Sequence, residues 1–227
     1  MYSRPVAVKN RSYIIEMRKP PIRLLITAGP TREFLDPIRY ISNRSSGKMG
    51  YALAEAARKI SPRVTLVSGP AGLKPPAGVE FVSVTTADEM AKAVLRRYNR
   101  VDVVIMAAAV CDFKPKSRSR TKIEKNAFGG TLKLEPTIDI LAELGKRKRS
   151  QVLVGFAAET DHMERNALGK LRRKRLDLIV ANDVRAFEGD TNTVTLIERD
   201  GTFERLREMS KRRVAAAIIR RVLRLAR

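Results

Sequence analysis

The sequence has almost none of the residues from which disulfide-linked or metal-held scaffolds are built. Its 227 residues include one Cys, one His and no Trp. A single Cys excludes a disulfide framework, and one Cys with one His excludes a structural zinc site. We therefore expect no protein-ligated metal and a reducing compartment, the cytoplasm.

Long apolar runs are also missing. The longest, residues 101–110, has about half of the roughly 20 residues that a membrane-spanning helix needs. Residues 1–20 are basic and have no apolar core of the kind found in signal peptides. We predict no membrane partner, a basic N-terminal segment over residues 1–20, and one folded domain over residues 21–227.

Acidic residues are few beside the basic ones. There are 24 Asp and Glu against 46 Lys and Arg, which gives a net charge of +22. Such a charge is typical of proteins that bind polyanions. The basic residues are spread along the chain, however, and an aromatic content of 5% leaves few rings on which bases could stack. Nucleic-acid binding stays as an alternative to a site for small phosphorylated ligands.

The chain does contain a regular alternation of strand and helix patterns, within a composition that is 44% hydrophobic. This alternation predicts a Rossmann-like, doubly wound α/β fold with a mostly parallel sheet. The patterns favour strands over residues 22–27, 64–67, 80–84, 101–107, 152–156 and 176–180, and helices over 47–60, 87–98, 138–146 and 163–175. A C-terminal hairpin turns at Asp200 and Gly201, and Ser210 caps a final helix. The irregular stretches 28–46 and 111–130 are long enough to be functional loops.

Ligands of doubly wound sheets bind beyond the carboxyl ends of the strands. After the first strand, Gly and Ser residues at 45–47 precede a predicted helix and could present N–H groups to a phosphate, or could form an ordinary helix cap. Ser42 and Met49 stand where a P-loop needs Gly and Ser or Thr. There is also no G-x-G-x-x-G, so the residues do not support a nicotinamide cofactor.

A second candidate segment follows the central strand. The small residues at 107–109 would let a base or ribose approach the backbone, and Asp112 could accept from a ribose hydroxyl or help hold Mg²⁺. Lys122 and Lys125 could neutralise a triphosphate, or could be solvated loop residues. Cys111 has no base beside it in the sequence and is expected to be a packed residue, while His162 is interpreted as a polar residue near a helix start.

These segments, in this order, resemble the phosphopantothenate-cysteine ligases, or phosphopantothenoylcysteine synthetases, of coenzyme A biosynthesis. The matching strings are ITAGPTREFLDPIRYISNRSSGKMG, VTLVSGP, AAAVCDF, KIEK, VGFAAET, KLRRKRLDLIVAND and DTNTVTLI, within residues 22–220. Many family members are fused behind a flavin-dependent decarboxylase domain, which these 227 residues do not include. The resemblance therefore implies no FMN, with a separate phosphopantothenoylcysteine decarboxylase as a partner.

The resemblance also implies the reaction. The carboxylate of 4'-phosphopantothenate attacks the α-phosphate of CTP and gives an acyl-cytidylate and pyrophosphate, and the amine of L-cysteine then displaces CMP. Mg²⁺ accompanies the CTP, and the family implies a homodimer. Eukaryotic relatives prefer ATP, which is the alternative nucleotide, but the VGFAAET and KIEK strings favour CTP.

By position in the family motifs, Asn43 orients the acyl-cytidylate, Arg39 binds the substrate, and Lys122 acts with Asn43 in catalysis. The residues implied to bind the nucleotide are Met106, Ala107, Ala108, Asp112, Lys122, Ile138, Asp139, Ile140, Leu141, Phe156, Lys170 and Lys174. Two motifs depart from the family. Glu124 replaces a Lys of K-I-K-K, and Ile138 replaces the Pro of P-D-I-V.

Overall fold

The computed structural model describes residues 20–127, 129–159, 163–183 and 190–226. The N-terminal segment up to residue 19 and His162 lie outside the described residues. The strands are β1 (Arg23–Ala28), β2 (Arg32–Phe34), β3 (Tyr40–Ser42), β4 (Arg63–Ser68), β5 (Glu80–Ser83), β6 (Val103–Met106), β7 (Phe113–Pro115), β8 (Leu134–Pro136), β9 (Val152–Glu159), β10 (Leu178–Asp183), β11 (Thr191–Asn192), β12 (Val194–Glu198), β13 (Phe203–Arg205) and β14 (Met209–Ser210). The helices are α1 (Lys48–Arg58), α2 (Ala87–Arg97), α3 (Ile140–Arg147), α4 (Met163–Arg173) and α5 (Lys211–Leu225).

A single large sheet carries the fold. Its eight strands have the order β5-β4-β1-β6-β9-β10-β12-β13. The first six of these are parallel, and β12 and β13 continue the sheet as an antiparallel hairpin. This arrangement confirms the predicted α/β class and the predicted C-terminal hairpin and helix. None of the helices in the described ranges has the length and apolar character that a membrane span requires.

Both faces of the sheet are covered by helices. Successive residues of a strand point to opposite faces, so Leu24 and Ile26 of β1 join one apolar cluster and Leu25 joins the other. Buried residues of α1 and α5 complete the first cluster, and those of α2, α3 and α4 complete the second. Strands buried on both faces explain why β1, β4 and β6 are apolar along most of their length.

Side-chain caps define where three helices begin. Thr86 and Glu89 form the reciprocal capping box of α2. The buried Glu33 adds a further acceptor, because its Oε1 lies 2.8 Å from the N–H of Ala87. Ser210 caps α5 as predicted. Helix α3 begins two residues later than predicted, since Asp139 is its N-cap.

Short hairpins form in and next to the two stretches that lacked a pattern. Strands β2 and β3 pair over residues 32–42 in the first stretch, and β7 in the second pairs with β8, which lies just beyond its end. Each strand has three residues, which is too short for an apolar alternation to be visible in the sequence. The hairpins pack against each other through β2 and β7.

Candidate functional site

The loops after β1 and β6 meet at the point where the sheet order reverses. The chain places β4 and β5 on one side of β1 and then returns to place β6 on the other side. The N–H of Ala109 donates to Gly29 O at 2.9 Å, and the N–H of Thr31 donates to Ala109 O at 3.3 Å. These bonds join the two loops at the crevice where doubly wound proteins bind their ligands.

Asn43 lies at this crevice. Its side-chain Nδ2 donates to Val110 O at 2.9 Å and to Ala109 O at 3.4 Å, while the residue itself is exposed. The N-cap of α1 is Gly47, in the left-handed conformation at φ 74°, without a side-chain cap. Asn43 therefore connects the first loop to the loop after β6 and does not cap the helix.

A cavity of about 250 Å³ opens at the carboxyl end of β6, beside this loop. It is lined by parts of β6, β9, β10, α3 and α4. Ten of the twelve predicted nucleotide-binding residues line it, namely Met106, Ala108, Asp112, Ile138, Asp139, Ile140, Leu141, Phe156, Lys170 and Lys174. The lining also includes Val110, Thr137, Leu176 and Ile179, for which the sequence motifs assigned no role.

An ion pair closes one side of the cavity. Lys174 Nζ lies 2.7 Å from Asp139 Oδ2, and Asp139 Oδ1 accepts the N–H of Ala142 at 3.0 Å. Burial alone would raise the pKa of the Asp139 carboxyl, but Lys174 and the N–H groups at the start of α3 lower it. Asp139 thus stays ionised and joins the start of α3 to the end of α4.

Two predicted nucleotide residues lie elsewhere. Ala107 packs against the cluster formed by α1 and α5 and is absent from the residues that line the cavity. Lys122 is exposed on the loop that follows β7. Arg39 lies beside that loop, because its Nη2 donates to Ile123 O at 2.6 Å. The structure therefore brings Arg39 and the Lys122 loop together, and it does not bring them into the cavity.

Two buried threonines position the loop after β6, and sequence reasoning missed both. Thr27 Oγ1 accepts the N–H of Ala108 at 3.1 Å, and Thr31 Oγ1 accepts the N–H of Cys111 at 2.9 Å. Each pair is about 80 residues apart in the sequence, so no local pattern reveals it. Cys111 is buried as expected, and burial raises the pKa of its thiol above the usual range, which disfavours a nucleophilic role.

A second cavity, of about 630 Å³, lies between α1 and the start of α5. Lys48 lines it and pairs with Asp190 at 2.6 Å, while Arg212 pairs with Glu55 at 2.6 Å. Although larger, this cavity contains none of the residues that the motifs assign to substrates. Lys48 contacts Asp190 across it, away from the loop after β6.

Comparisons with known proteins agree with this architecture. The family model "DNA/pantothenate metabolism flavoprotein C-terminal domain" matches residues 21–225. The chain is 50% identical over 208 residues to the coenzyme A biosynthesis bifunctional protein CoaBC of Bacillus subtilis, covering 89% of this chain and 51% of that protein. It therefore spans about half the length of that relative.

Solved structures show the same fold. The crystal structure of the C-terminal domain of CoaBC matches with a TM-score of 0.79 and 45% identity, over 89% of this chain and 94% of that one. A Cab2 mutant in complex with phosphopantothenate-cysteine matches with a TM-score of 0.74, over 90% of this chain and 86% of that one. At 18% identity, the second likeness concerns the fold alone.

Proposed function

The chain belongs to the family of the DNA/pantothenate metabolism flavoprotein C-terminal domain, and from this premise we propose that it is a phosphopantothenate-cysteine ligase. The observation that carries the proposal is the cavity beside β6, in which ten residues assigned to the nucleotide by the family motifs are gathered. The cavity adjoins the loop that Asn43 contacts. Nucleotide and acyl group would therefore meet where the sheet order reverses.

We propose two steps. A carboxylate oxygen of 4'-phosphopantothenate bonds to the α-phosphorus of CTP, and the bond to the β-phosphate breaks to release pyrophosphate. The nitrogen of L-cysteine then bonds to the acyl carbon, CMP leaves with the electrons of the acyl–oxygen bond, and the amine gives up a proton to solvent. The protein must mainly position the reactants and offset phosphate charge, for which Lys170, Lys174 and Lys122 are the proposed cations.

Mg²⁺ is proposed to arrive with the nucleotide. Among the described residues no three His, Cys, Asp or Glu side chains cluster as a metal site. The cavity lining contributes the carboxylates of Asp112 and Asp139, and Asp139 is engaged by Lys174 and α3. Asp112 is thus the residue that fits a triphosphate-bound cation, and Mg²⁺ itself would neutralise triphosphate charge.

A homodimer is proposed on the surface formed by the two short hairpins. Ile38, Tyr40, Phe113 and Leu134 are large apolar residues there, and Ile38 is 63% exposed. A second copy on this surface would cover these side chains and lie next to Arg39. Sedimentation of the wild type against Ile38→Asp tests the proposal: a dimer that the substitution dissociates supports it, and a wild-type monomer contradicts it.

Pyrophosphate release tests the ligase function and its nucleotide together. The chain is incubated with 4'-phosphopantothenate and CTP, ATP, GTP or UTP, first without and then with cysteine. We expect release with CTP before cysteine is added, and phosphopantothenoylcysteine by mass spectrometry afterwards. Release with ATP alone would support the alternative nucleotide, and no release with any nucleotide would contradict the proposal.

The net charge of +22 keeps nucleic-acid binding as a second candidate function. A salt titration with duplex DNA and with RNA separates the two. Tight binding that falls steeply with salt, together with no nucleotide-dependent pyrophosphate release, would favour the binding protein. Weak binding that is lost near physiological salt would reflect the charge alone.

A further inference from the structure

Asp36 is a fully buried carboxylate in the turn between β2 and β3. Its Oδ1 accepts the N–H groups of Ile38 at 2.8 Å and Arg39 at 2.7 Å. Its Oδ2 accepts from the Arg39 guanidinium, with Nε at 2.8 Å and Nη2 at 2.5 Å, and from the N–H of Ile123 at 3.2 Å. Both oxygens are thus engaged, by groups from two parts of the chain.

These bonds hold a distant loop against the turn. Ile123 is contacted at both main-chain groups, since its N–H donates to Asp36 and its carbonyl accepts from Arg39 at 2.6 Å. The N–H of Ser119 adds a bond to Leu35 O at 2.8 Å. Residues 119–123 are therefore joined to the turn at 35–39 by three links, and Lys122 is the residue immediately before the doubly held Ile123.

The Asp36 carboxylate is the common acceptor for the N–H groups of Ile38, Arg39 and Ile123 and for the Arg39 guanidinium. Burial alone would raise the pKa of its carboxyl, but the N–H groups of Arg39 and Ile38, with the Arg39 guanidinium, hold that pKa well below its usual range. The group is therefore an anion throughout the neutral range. A lysine side chain is a flexible four-carbon stem, so the place of its ammonium group depends on how firmly its backbone is held.

We propose that Asp36 is a positioning residue which, through Arg39 and Ile123, places the Lys122 loop for the nucleotide step. The inference rests on the proposed function, since it assumes that Lys122 meets the triphosphate. This role differs from one in hairpin folding alone. Weakening the bonds of Asp36 and Arg39 to Ile123 should release residues 119–123 while the sheet stays intact.

Asp36→Asn is the direct test. The amide has nearly the same shape but turns one acceptor into a donor, so a donor of Arg39 or Ile123 loses its partner. We expect trypsin to cleave the native protein after Lys122 several-fold faster, and pyrophosphate release to fall roughly 10- to 100-fold. Asp102→Asn is the matched control, since Asp102 binds the guanidinium and the N–H of Arg23 at the amino ends of β1 and β6. The control should change neither readout.

A double-mutant cycle identifies the residue through which Asp36 acts. If Asp36 works by placing Lys122, then adding Asp36→Asn to Lys122→Gln should lower pyrophosphate release little further. Losses that multiply fully would overturn the proposal, as would unchanged trypsin cleavage in folded Asp36→Asn. Should that variant fail to fold, Ile123→Pro removes the Ile123 N–H that binds Asp36. Trypsin does not cut a Lys–Pro bond, so cleavage is then measured after Arg120, where it should be faster, and pyrophosphate release should again fall.

Failure of the ligase proposal gives a different result. A wild type that releases no pyrophosphate with any nucleotide contradicts the ligase function, and with it the role of Asp36 in the nucleotide step. The trypsin measurement is independent of activity and still reports whether Asp36 holds the loop. Faster cleavage in Asp36→Asn, with normal wild-type activity and a loss of release in the variant, supports the inference.

Discussion

The amide nitrogen of Asn43 contacts the carbonyls of Ala109 and Val110, so its nearest action is on the loop after β6. An aspartate there has no donor at neutral pH and would place a negative charge against two carbonyl oxygens. We predict that Asn43→Asp still forms the proposed acyl-cytidylate but transfers it to cysteine about 100-fold more slowly, because the loop proposed to orient the acyl group is no longer held by the Asn43 amide. Rapid quenching with labelled CTP measures both steps.

The control for this prediction is Asn99→Asp, at an exposed asparagine just beyond α2. It makes the same chemical change away from the cavity and should leave both steps unaltered. Normal turnover in Asn43→Asp would mean that the amide only shapes its own loop. Loss of both steps would place the action of Asn43 before nucleotide cleavage.

Lys122 is exposed and lies on the loop that Ile123 anchors, so removing its charge should alter the nucleotide step and leave the fold intact. We predict that Lys122→Gln lowers pyrophosphate release about 100-fold, because the cation proposed to offset triphosphate charge is lost. Lys92→Gln, at an exposed lysine of α2, is the matched control. Release at the wild-type rate in Lys122→Gln would remove that lysine from the site.

Tyr98 is 1% exposed, and its hydroxyl has no hydrogen-bond partner within the described part of the chain. Burial, and then the nearby Asp177, raise its pKa to about 12. We predict that Tyr98→Phe raises the free energy of unfolding by about 1 kcal/mol at pH 7, because it removes an unsatisfied buried polar group.

Tyr98 should also affect how the free energy of unfolding changes at alkaline pH. Because folding raises the pKa of the Tyr98 phenol from 10 to about 12, the unfolded chain loses this proton first, and the free energy of unfolding falls as pH rises from about 10 toward 12. Urea unfolding at pH 7, 10 and 11 should therefore show a smaller alkaline loss in Tyr98→Phe than in the wild type. A variant that is less stable at every pH would show that the hydroxyl has a partner.

Among the elements, α3 and α4 define one wall of the cavity, and Gly145 determines how closely they approach. A Cβ built on Gly145 would lie 2.1 Å from Lys174 O, which is main chain and must move. We predict that Gly145→Ala lowers the free energy of unfolding by roughly 1–3 kcal/mol, in spite of the higher helix propensity of alanine. The shift would also move Lys174, so the KM for the nucleotide should rise.

Gly169 of α4 is a matched control for Gly145. A Cβ there would meet only the guanidinium end of Arg173, at 3.0 Å, and this flexible end can move aside. Gly169→Ala should therefore leave stability unchanged or raise it by up to about 1 kcal/mol. Equal stability of the two variants in urea unfolding would contradict the close contact between α3 and the end of α4.

The elements that could be predicted from the sequence are those with a long apolar pattern. Strands β1, β4 and β6 are buried on both faces, and α2 and α5 have side-chain caps that a local motif reveals. Strands β2, β3, β7 and β8 could not be predicted, because three residues are too few to show a period.

The site divides in the same way. Family motifs located ten residues of the cavity, which come from the end of β6 and the loop after it, the start of α3, β9, and α4 with the residue that follows it. Thr27 and Thr31 were not found, because their hydroxyls act on N–H groups about 80 residues away. The contact between Asp36 and Ile123 could not be predicted either, because the two residues are 87 positions apart in the sequence.

Across the whole molecule, 24 Asp and Glu offset part of the repulsion among 46 Lys and Arg. Carboxyl groups whose pKa is lowered by neighbouring cations or N–H groups include Asp36, Glu80, Asp102, Asp139, Glu143, Asp190 and Asp200. They are distributed over helices, turns and strand ends across the chain. Protonating all 24 Asp and Glu at acid pH would leave 46 Lys and Arg unopposed.

This distribution predicts acid-sensitive stability. In the unfolded chain Asp and Glu titrate near 3.8 and 4.5, and in the fold the carboxyl groups with a lowered pKa keep their charge to lower pH. Over that interval the unfolded chain binds more protons, so their stabilisation is complete above about pH 5 and is lost as the pH falls through 4 and 3. Urea unfolding should give similar midpoints at pH 7 and 5.5 and a much lower one at pH 3.

Salt distinguishes the two causes of this loss. Repulsion among the unopposed basic groups is screened, so about 0.5 M salt should restore part of the midpoint at pH 3. The contribution of a specific pair is lost by protonation, so Asp102→Asn should lower the midpoint at pH 7 slightly and change it less at pH 3. Equal midpoints at pH 7 and 3 in the wild type would contradict the prediction, because the lowered pKa values of the carboxyl groups require the folded and unfolded chains to bind protons differently in this range.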